Sequence, residues 1–323
     1  MAAEIACGFA EVWRITRGHS EPYRWLQLVL ANLDSSAQPG MEARLWRTLA
    51  THTNGMRRVQ AANRALELTD RRLSSDGFVA ALYQKAVGLL EAGSIEDAER
   101  VNGEALRLCQ ERGLLRTRRY AAALDMRGRI TTSLGRTDEA RDFFAQALSL
   151  MTALGDEHEA IIVRINLGEL EFKAGRFREA LESAELAIEA ARRVRSRHRE
   201  ATALTNAAAC RLALDDIEGA RLDALEALAL APSATPIEAA ATIQHLATVA
   251  ALKGNHRRAA RLRGYVDTCF RKEFCERGPT ESLTYAMLAE ALTENLPASE
   301  IDALFREGAG MSEEHAMRES FVT

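Results

Sequence analysis

Apolar and small residues recur at helical spacing along most of the chain, and short turns interrupt this pattern at nearly constant intervals. The turns are marked by Gly93, Gly135, Gly175, Asp215 and Gly254, at successive steps of 42, 40, 40 and 39 residues. A fixed period of this kind predicts a row of helix-turn-helix hairpins, each of which buries its apolar surface against the next hairpin.

Small residues occupy the same positions in successive hairpins, as expected where two helices pack closely. Five residues after each turn the sequence has Ala98, Ala140, Ala180, Ala220 and Ala259. Seven residues before each turn it has Ala86, Gly128, Gly168, Ala208 and Ala247. Twelve residues after each turn it has Ala105, Ala147, Ala187, Ala227 and Val266. Agreement at three independent offsets predicts that these residues form the contacts within and between hairpins.

The same pattern continues more weakly toward the N-terminus, with helices predicted from Ala3 to Thr16 and from Met41 to His52, a turn at Gly18-His19, and a loop from Asp34 to Gly40. We predict a solenoid over residues 1–276, with about seven repeats at 3–33, 41–70, 79–112, 121–154, 161–194, 201–231 and 240–276. After Arg277-Gly278-Pro279, shorter helical segments with Thr280 and Ser299 as N-caps predict a C-terminal cap over residues 277–323.

These repeated residues resemble the tetratricopeptide repeat (TPR) family, in which small residues hold equivalent places and Pro often closes the unit, as Pro232 does here. The resemblance implies an all-α, right-handed TPR-like solenoid, or superhelix. The period near 40 departs from the usual 34, and no large aromatic residue begins the first helix of each repeat. About six extra residues correspond to one and a half helical turns, or to a longer loop between repeats.

Two further segments resemble the C-terminal arm of STAND-class bacterial signalling ATPases, including LuxR-type regulators. They are Arg258-Ala259-Ala260-Arg261-Leu262-Arg263-Gly264 and the ending that runs from Phe305 through Gly308 to Glu314. The resemblance implies a helical arm that senses an inducer or holds the regulator inactive. The sequence contains no glycine-rich loop ending in Gly-Lys-Ser/Thr, so no nucleotide site is predicted. Because the first helix lacks a capping residue and a polar outer face, we expect the chain to be part of a longer protein.

Composition narrows the class of protein. Charged residues interrupt every apolar stretch well before the roughly 20 residues needed to span a bilayer, and the N-terminus lacks the features of a secretory signal, which predicts a soluble cytoplasmic protein. The five cysteines and seven histidines show no metal-ligand or redox spacing, and no nucleophile and base converge. We therefore expect no cofactor, no metal and no enzymatic activity. The net charge of −4 argues against nucleic-acid binding by this chain.

Arginine clusters near Arg116–Arg119 and Arg192–Arg199 are the exception to this acidic balance, and they lie two repeats apart. They suggest two alternatives. A stripe along one edge of the solenoid would bind RNA or an acidic partner, with an affinity that falls steeply with salt. Alternatively, the cations stabilise helix C-termini without any ligand, which is the interpretation we favour.

The predicted functional surface is the concave wall, formed by the exposed face of each first helix. Nine residues before each turn stands a nearly continuous polar row, which we expect to clamp the backbone of an extended peptide. The row consists of Gln84, Met126, Asn166, Asn206 and His245, flanked by Tyr83, Arg129, Glu169, Phe172 and Lys173. Ordinary solvated helix positions are the alternative for the same residues.

These features predict a non-catalytic protein or peptide interaction and sensor module, the arm of a STAND/LuxR-type transcriptional regulator. The alternative is a free-standing cytosolic receptor that binds a peptide in the groove. Because Trp13, Trp25 and Trp46 enrich the N-terminal repeats, a homodimer through this end is also predicted.

Overall fold

The structure is a computed structural model that describes residues 2–8, 20–34, 39–71, 74–230, 236–272 and 276–321. Throughout these ranges the regular secondary structure is α-helical, which confirms the predicted all-α class. The chain divides into two compact units, residues 1–163 and 164–323. The predicted helix from Ala3 to Thr16 and the turn at Gly18-His19 lie largely outside the described residues. The predicted domain boundary at residue 276 stays a prediction.

The first unit begins with α1 (residues 2–8) and continues with seven complete helices. These are α2 (Ser20–Ala31), α3 (Pro39–Thr51), α4 (Gly55–Leu68), α5 (Ser75–Glu91), α6 (Ile95–Glu111), α7 (Arg118–Ser133) and α8 (Thr137–Ala153). Helix α9 (Glu157–Lys173) contains the boundary between the units. The second unit continues with α10 (Phe177–Arg193), α11 (Arg197–Ala213), α12 (Ile217–Ala229), α13 (Pro236–Leu252), α14 (His256–Lys272), α15 (Pro279–Asn295), α16 (Ala298–Ala309) and α17 (Glu313–Phe321).

Each predicted turn between paired helices has a left-handed backbone, with φ of 77° at Gly93, 74° at Gly175 and 63° at Asp215. The same conformation recurs between hairpins at Gly113, Gly155 and Arg195, which the repeat pattern did not predict as turns. In each case the following N–H reaches back to a carbonyl five residues earlier, for example Ser94 N to Leu89 O at 2.9 Å. This is the Schellman arrangement, which satisfies the last carbonyls of a helix.

The small residues at fixed offsets lie at helix contacts, as the sequence predicted. Ala98, Ala140 and Ala259 are completely buried. A Cβ atom added to Gly128 would lie 2.6 Å from the ring of Phe144, so this position requires glycine for the observed packing. Helices of 16 or 17 residues, rather than long connections, account for most of the enlarged period in these repeats.

The loop predicted over residues 34–40 is too long, because Pro39 and Gly40 already belong to α3. Proline favours the first helical position, since its missing N–H is not needed there. The predicted N-caps Thr280 and Ser299 are wrong, because each is already the second residue of its helix. Helix α15 begins at Pro279 with Gly278 as N-cap, and α16 begins at Ala298 with Pro297 as N-cap.

The arginine clusters form ion pairs with acids of neighbouring helices. Arg119 Nε lies 3.0 Å from Asp76, and Arg118 Nε lies 2.8 Å from Asp156. In the second unit, Arg192 contacts Glu200 at 2.7 Å and Glu226 at 2.5 Å. These contacts join neighbouring helices, so these arginines do not form a free cationic stripe. Arg192 lies in the last turn of α10, as the helix C-terminus alternative expects, but Arg118 and Arg119 begin α7, so that alternative is wrong for them.

Candidate functional site

The predicted groove residues of the first unit lie on α5 and α7. Tyr83, Gln84 and Arg129 are half-buried. Met126 is completely buried in the core formed by α5, α6 and α7, so its predicted place in an exposed row is wrong. The preceding residue, Asp125, is also buried but takes part in polar or electrostatic interactions.

Electrostatic interactions connect Tyr83 with charged residues of this face. Burial raises the pKa of Tyr83 to about 12, and the Asp125 carboxylate adds to this rise while the Arg129 guanidinium opposes it. Arg58 lies in the same cluster, where it pairs with Glu91 at 2.9 Å. The first unit therefore presents a polar, mixed-charge surface, with Tyr83 neutral at physiological pH.

The second unit contains a cleft of about 250 Å³, a volume that includes space open to solvent. Helices α9, α10 and α11 and the first turn of α15 form its walls. It is lined by Arg164, Ile165, Gly168, Glu169, Phe172, Ala180, Ala184, Ala203, Asn206, Cys210 and Thr280. Three predicted groove residues, Glu169, Phe172 and Asn206, are thus brought together here. Asn166 and Lys173 do not line the cleft.

The lining of the cleft combines small apolar residues with polar groups. Phe172 is buried and packs edge-to-face against Phe177, with ring centroids 5.0 Å apart, so it lines the interior rather than the open surface that was predicted. Arg164 and Glu169 are engaged in other interactions. Within the described residues the half-buried Asn206 carboxamide makes no hydrogen bond, which leaves its donor and acceptor available.

The Cys210 thiol is not a reactive group of this cleft. Burial raises the pKa of Cys210 to about 12, so the thiol is protonated at neutral pH. It serves as a small apolar residue beside Phe172 and Ala209.

Farther along the second unit, α15 packs against the first helices α11 and α13 and covers the predicted groove surface. The predicted exposure of His245 is therefore wrong: its side chain is completely buried, and Nδ1 lies 3.1 Å from Thr284 Oγ1. Gln244 Nε2 donates to Glu281 O at 2.7 Å and to Thr284 Oγ1 at 2.9 Å. Thr248 Oγ1 donates to Thr284 O at 3.1 Å. Helix α15 thus occupies this part of the groove.

Apolar burial makes this occupation a stable part of the fold. Leu288 and Leu292 of α15 are completely buried against α13 and α14. Burying each leucine contributes about 2 kcal/mol, which exceeds the net contribution of about 1 kcal/mol from a typical hydrogen bond. The surface beneath α15 is therefore closed, whereas the cleft at Asn206 is open to solvent.

Sequence reasoning missed Gln244, Thr248 and Thr280. Gln244 stands ten residues before its turn, one position away from the row that was chosen. Helical periodicity alone does not separate adjacent positions at the edge of a face, whereas the contact with α15 does. No signal in the repeat pattern indicates that α15 returns to this face.

Two further features of the described residues bear on other functions. No helix there combines the length and hydrophobicity needed to cross a membrane. In the same part of the chain, no group of three or more His, Cys, Asp or Glu side chains is arranged to hold a metal ion.

Comparison with known proteins places this architecture among tetratricopeptide folds. Residues 119–193 match the family model described as "Tetratricopeptide repeat". No curated protein matches the chain by sequence.

Three solved structures illustrate the similarity. A Rap protein complexed with Competence and Sporulation Factor has a TM-score of 0.59 and 13% identity, over 95% of this chain and 91% of that one. BtubC from P. vanneervenii has a TM-score of 0.53 and 17% identity, over 80% of this chain and 93% of that one. A STAND protein with a tetratricopeptide repeat sensor from Pyrococcus horikoshii has a TM-score of 0.56 and 12% identity, over 95% of this chain and 52% of that one. Together with the helical hairpins, these similarities confirm the predicted TPR-like solenoid fold.

Proposed function

We propose that this protein is a peptide-binding sensor module and that the cleft of the second unit holds an extended segment of its partner. The single observation that carries the proposal is the Asn206 carboxamide, which has no hydrogen-bond partner among the described residues and lies beside small apolar residues of the cleft. An amide side chain can donate to and accept from one peptide unit at the same time. The small residues Gly168, Ala180 and Ala203 give the cleft an apolar lining beside this carboxamide.

The fold supports this function over catalysis, because stacked helical repeats generally present extended surfaces that bind proteins or peptides. The Rap relative is recorded with a bound factor, and the STAND relative carries its repeats as a sensor. Both relatives are less than 25% identical to this chain, so the assignment of a peptide ligand depends on the cleft itself.

The test begins with selection of binders from a displayed library of random dodecapeptides, using the full chain as bait. Fluorescence anisotropy then measures the affinity of the selected peptides for wild type, Asn206→Ala and Asn166→Ala. Two lost hydrogen bonds of about 1 kcal/mol each correspond to roughly 30-fold weaker binding by Asn206→Ala. Asn166→Ala should have a smaller effect, since Asn166 does not line the cleft.

Gln146→Ala is the matched control, because it removes an amide from the exposed surface of a second helix. Circular dichroism should give the same helical content for all variants. Wild-type affinity of Asn206→Ala for every selected peptide would rule out this site.

The more specific proposal is that the module is the sensor arm of a STAND/LuxR-type cytoplasmic regulator, and a free-standing peptide receptor is the alternative. The resemblance of the Arg258–Gly264 and Phe305–Glu314 segments supports the arm. The coding sequence around this chain separates the two possibilities. A phosphate-binding loop encoded upstream in the same reading frame supports the arm, and its absence from the complete reading frame favours the receptor.

The homodimer proposal rests on α2, where Trp25 and Leu28 are 51% and 57% exposed. They stand three residues apart and therefore share one helix face. Light scattering during size-exclusion chromatography should give the mass of a dimer for wild type and of a monomer for Trp25→Glu with Leu28→Glu. A monomeric wild type at tens of micromolar protein, an order of magnitude at which specific dimers form, would contradict this proposal.

A further inference from the structure

One wall of the cleft belongs to α15, because Thr280 in the first turn of this helix lines it. We infer that Arg277 and Gln244 are positioning residues, which hold the first turns of α15 against α13 and so complete the peptide site. This inference rests on the proposed function, since peptide binding at the cleft is one of its readouts. Neither Arg277 nor Gln244 lines the cleft.

Gln244 connects Arg277 with α15 through the two ends of one carboxamide. Arg277 Nε donates to Gln244 Oε1 at 2.8 Å, while Gln244 Nε2 donates to Glu281 O and Thr284 Oγ1. The bond from Arg277 fixes which end of the amide faces α15. Without it the amide can rotate, and its oxygen would then oppose the oxygen of Glu281.

Arg277 is itself held on several sides. Its guanidinium forms an ion pair with Asp267 of α14 and lies over the rings of Phe270 and Tyr285, at 4.5 and 4.0 Å from their centroids. Tyr285 in turn donates to Asp267 Oδ2 at 2.9 Å. Arginine suits this place because its planar guanidinium can stack and form directional hydrogen bonds at the same time. The network ties the start of α15 to α13 and α14.

The two halves of α15 are held by different interactions. Leu288 and Leu292 anchor the second half by apolar burial. The buried residues of the first half are Thr280 and Thr284, and Thr284 forms hydrogen bonds with Gln244, His245 and Thr248. Since truncation of a buried leucine costs more than loss of one neutral hydrogen bond, the first half should detach first.

Loss of Arg277 should therefore release the first turns of α15 while the leucine-anchored half stays docked. The cleft would keep Asn206 and its apolar lining but lose the wall at Thr280. Peptide affinity would fall although no residue that lines the cleft has changed. Conversely, a bound peptide should protect the first turns of α15 from opening, because binding and docking are linked.

Hydrogen exchange followed by mass spectrometry tests whether Arg277 holds the first turns of α15. In full-length Arg277→Ala, exchange over residues 279–285 should accelerate about tenfold, with little change over residues 288–295. The control is Arg306→Ala. This change removes an exposed arginine whose side chain donates a hydrogen bond to Asp302 O of its own helix. If exchange accelerated uniformly across all of α15, the two halves of the helix would not be held by different interactions.

Fluorescence anisotropy with the library-selected peptides tests whether the docking of α15 affects peptide affinity. Arg277→Ala and Gln244→Ala should each weaken binding about five- to tenfold, and the double variant should weaken it no further if both act through one relay. Thr280→Val changes the wall without disturbing the network, so it should alter affinity while exchange of α15 stays near the wild-type rate. This variant also remains informative if Arg277→Ala fails to fold.

The possible failures are distinguishable. If no peptide binds wild type, the proposed function fails. If peptides bind and lose affinity in Asn206→Ala but not in Arg277→Ala or Thr280→Val, the cleft is the site and the inference about its wall is wrong. Faster exchange of residues 279–285 without a change in affinity also overturns it.

Discussion

Gly264 of α14 and Gly308 of α16 bring these two helices into backbone contact. A Cβ atom on Gly264 would collide with the Phe305 carbonyl, and one on Gly308 would collide with the Arg261 carbonyl. The segments Arg258–Gly264 and Phe305–Glu314 are therefore contact partners in space. Arg261 reinforces this region through an ion pair with Glu319 of α17. These two segments thus include residues that attach the C-terminal helices to the last repeat.

Gly308→Ala should lower the free energy of unfolding by about 2–3 kcal/mol, because the added methyl group forces α16 away from α14. Urea unfolding followed by circular dichroism measures this loss. Gly310→Ala is the control, since its Cβ would meet its nearest neighbour at an ordinary 3.5 Å. Equal stability of the two variants would show that the helices adjust without cost.

Replacement of Arg195 by glycine should stabilise the protein by up to about 1 kcal/mol. Arg195 has φ of 55°, a left-handed conformation that is strained for residues with a Cβ atom. The reciprocal change Gly155→Ala, at φ of 67° in the preceding inter-hairpin turn, should destabilise by about 1 kcal/mol. Thermal unfolding of both variants measures the difference, and changes of the same sign would contradict the explanation.

Acidic pH should destabilise the protein partly through His245. Burial lowers the pKa of His245 from 6.5 to about 4. Because the unfolded state binds the proton more readily, this contribution to stability is complete above pH about 6.5 and is lost as pH falls toward 4, by roughly 3 kcal/mol at most. Urea unfolding of wild type and His245→Gln at pH 7, 5.5 and 4.5 measures it.

His245→Gln can still donate to Thr284 but does not titrate. The variant should therefore lose less stability than wild type over the same pH range. Parallel losses in the two proteins would show that other groups, and not His245, cause the acid sensitivity.

A larger side chain in the cleft lining should block peptide binding directly. Ala184 lines the cleft and is 3% exposed, so Ala184→Leu places three additional carbon atoms there. We expect affinity for library-selected peptides to fall at least about tenfold, with a stability change within about 2 kcal/mol. Ala174→Leu, at an exposed turn position just after α9, is the control. Unchanged affinity in Ala184→Leu would locate the peptide elsewhere.

The candidate site was only partly predictable from the repeat pattern. Glu169, Phe172 and Asn206 do meet in one cleft, because positions three or four residues apart on a first helix and on its neighbour share one face. Met126 and His245 occupy the same sequence offset as Asn206 but are completely buried. Met126 packs into the hairpin core, and His245 is covered by α15.

Sequence by itself determined the helical class, the paired hairpins and the positions of the five turns from Gly93 to Gly254. It could do so because these depend on neighbours within about 40 residues: left-handed turn residues such as Gly93 and Asp215 end the helices, and alanines such as Ala98 permit their contact. Tertiary structure decided which part of the groove stays open. The return of α15 depends on Arg277, Gln244 and two buried leucines, which become neighbours only after the last repeats have folded. Contacts of that kind leave no periodic trace in the sequence, because each is made once.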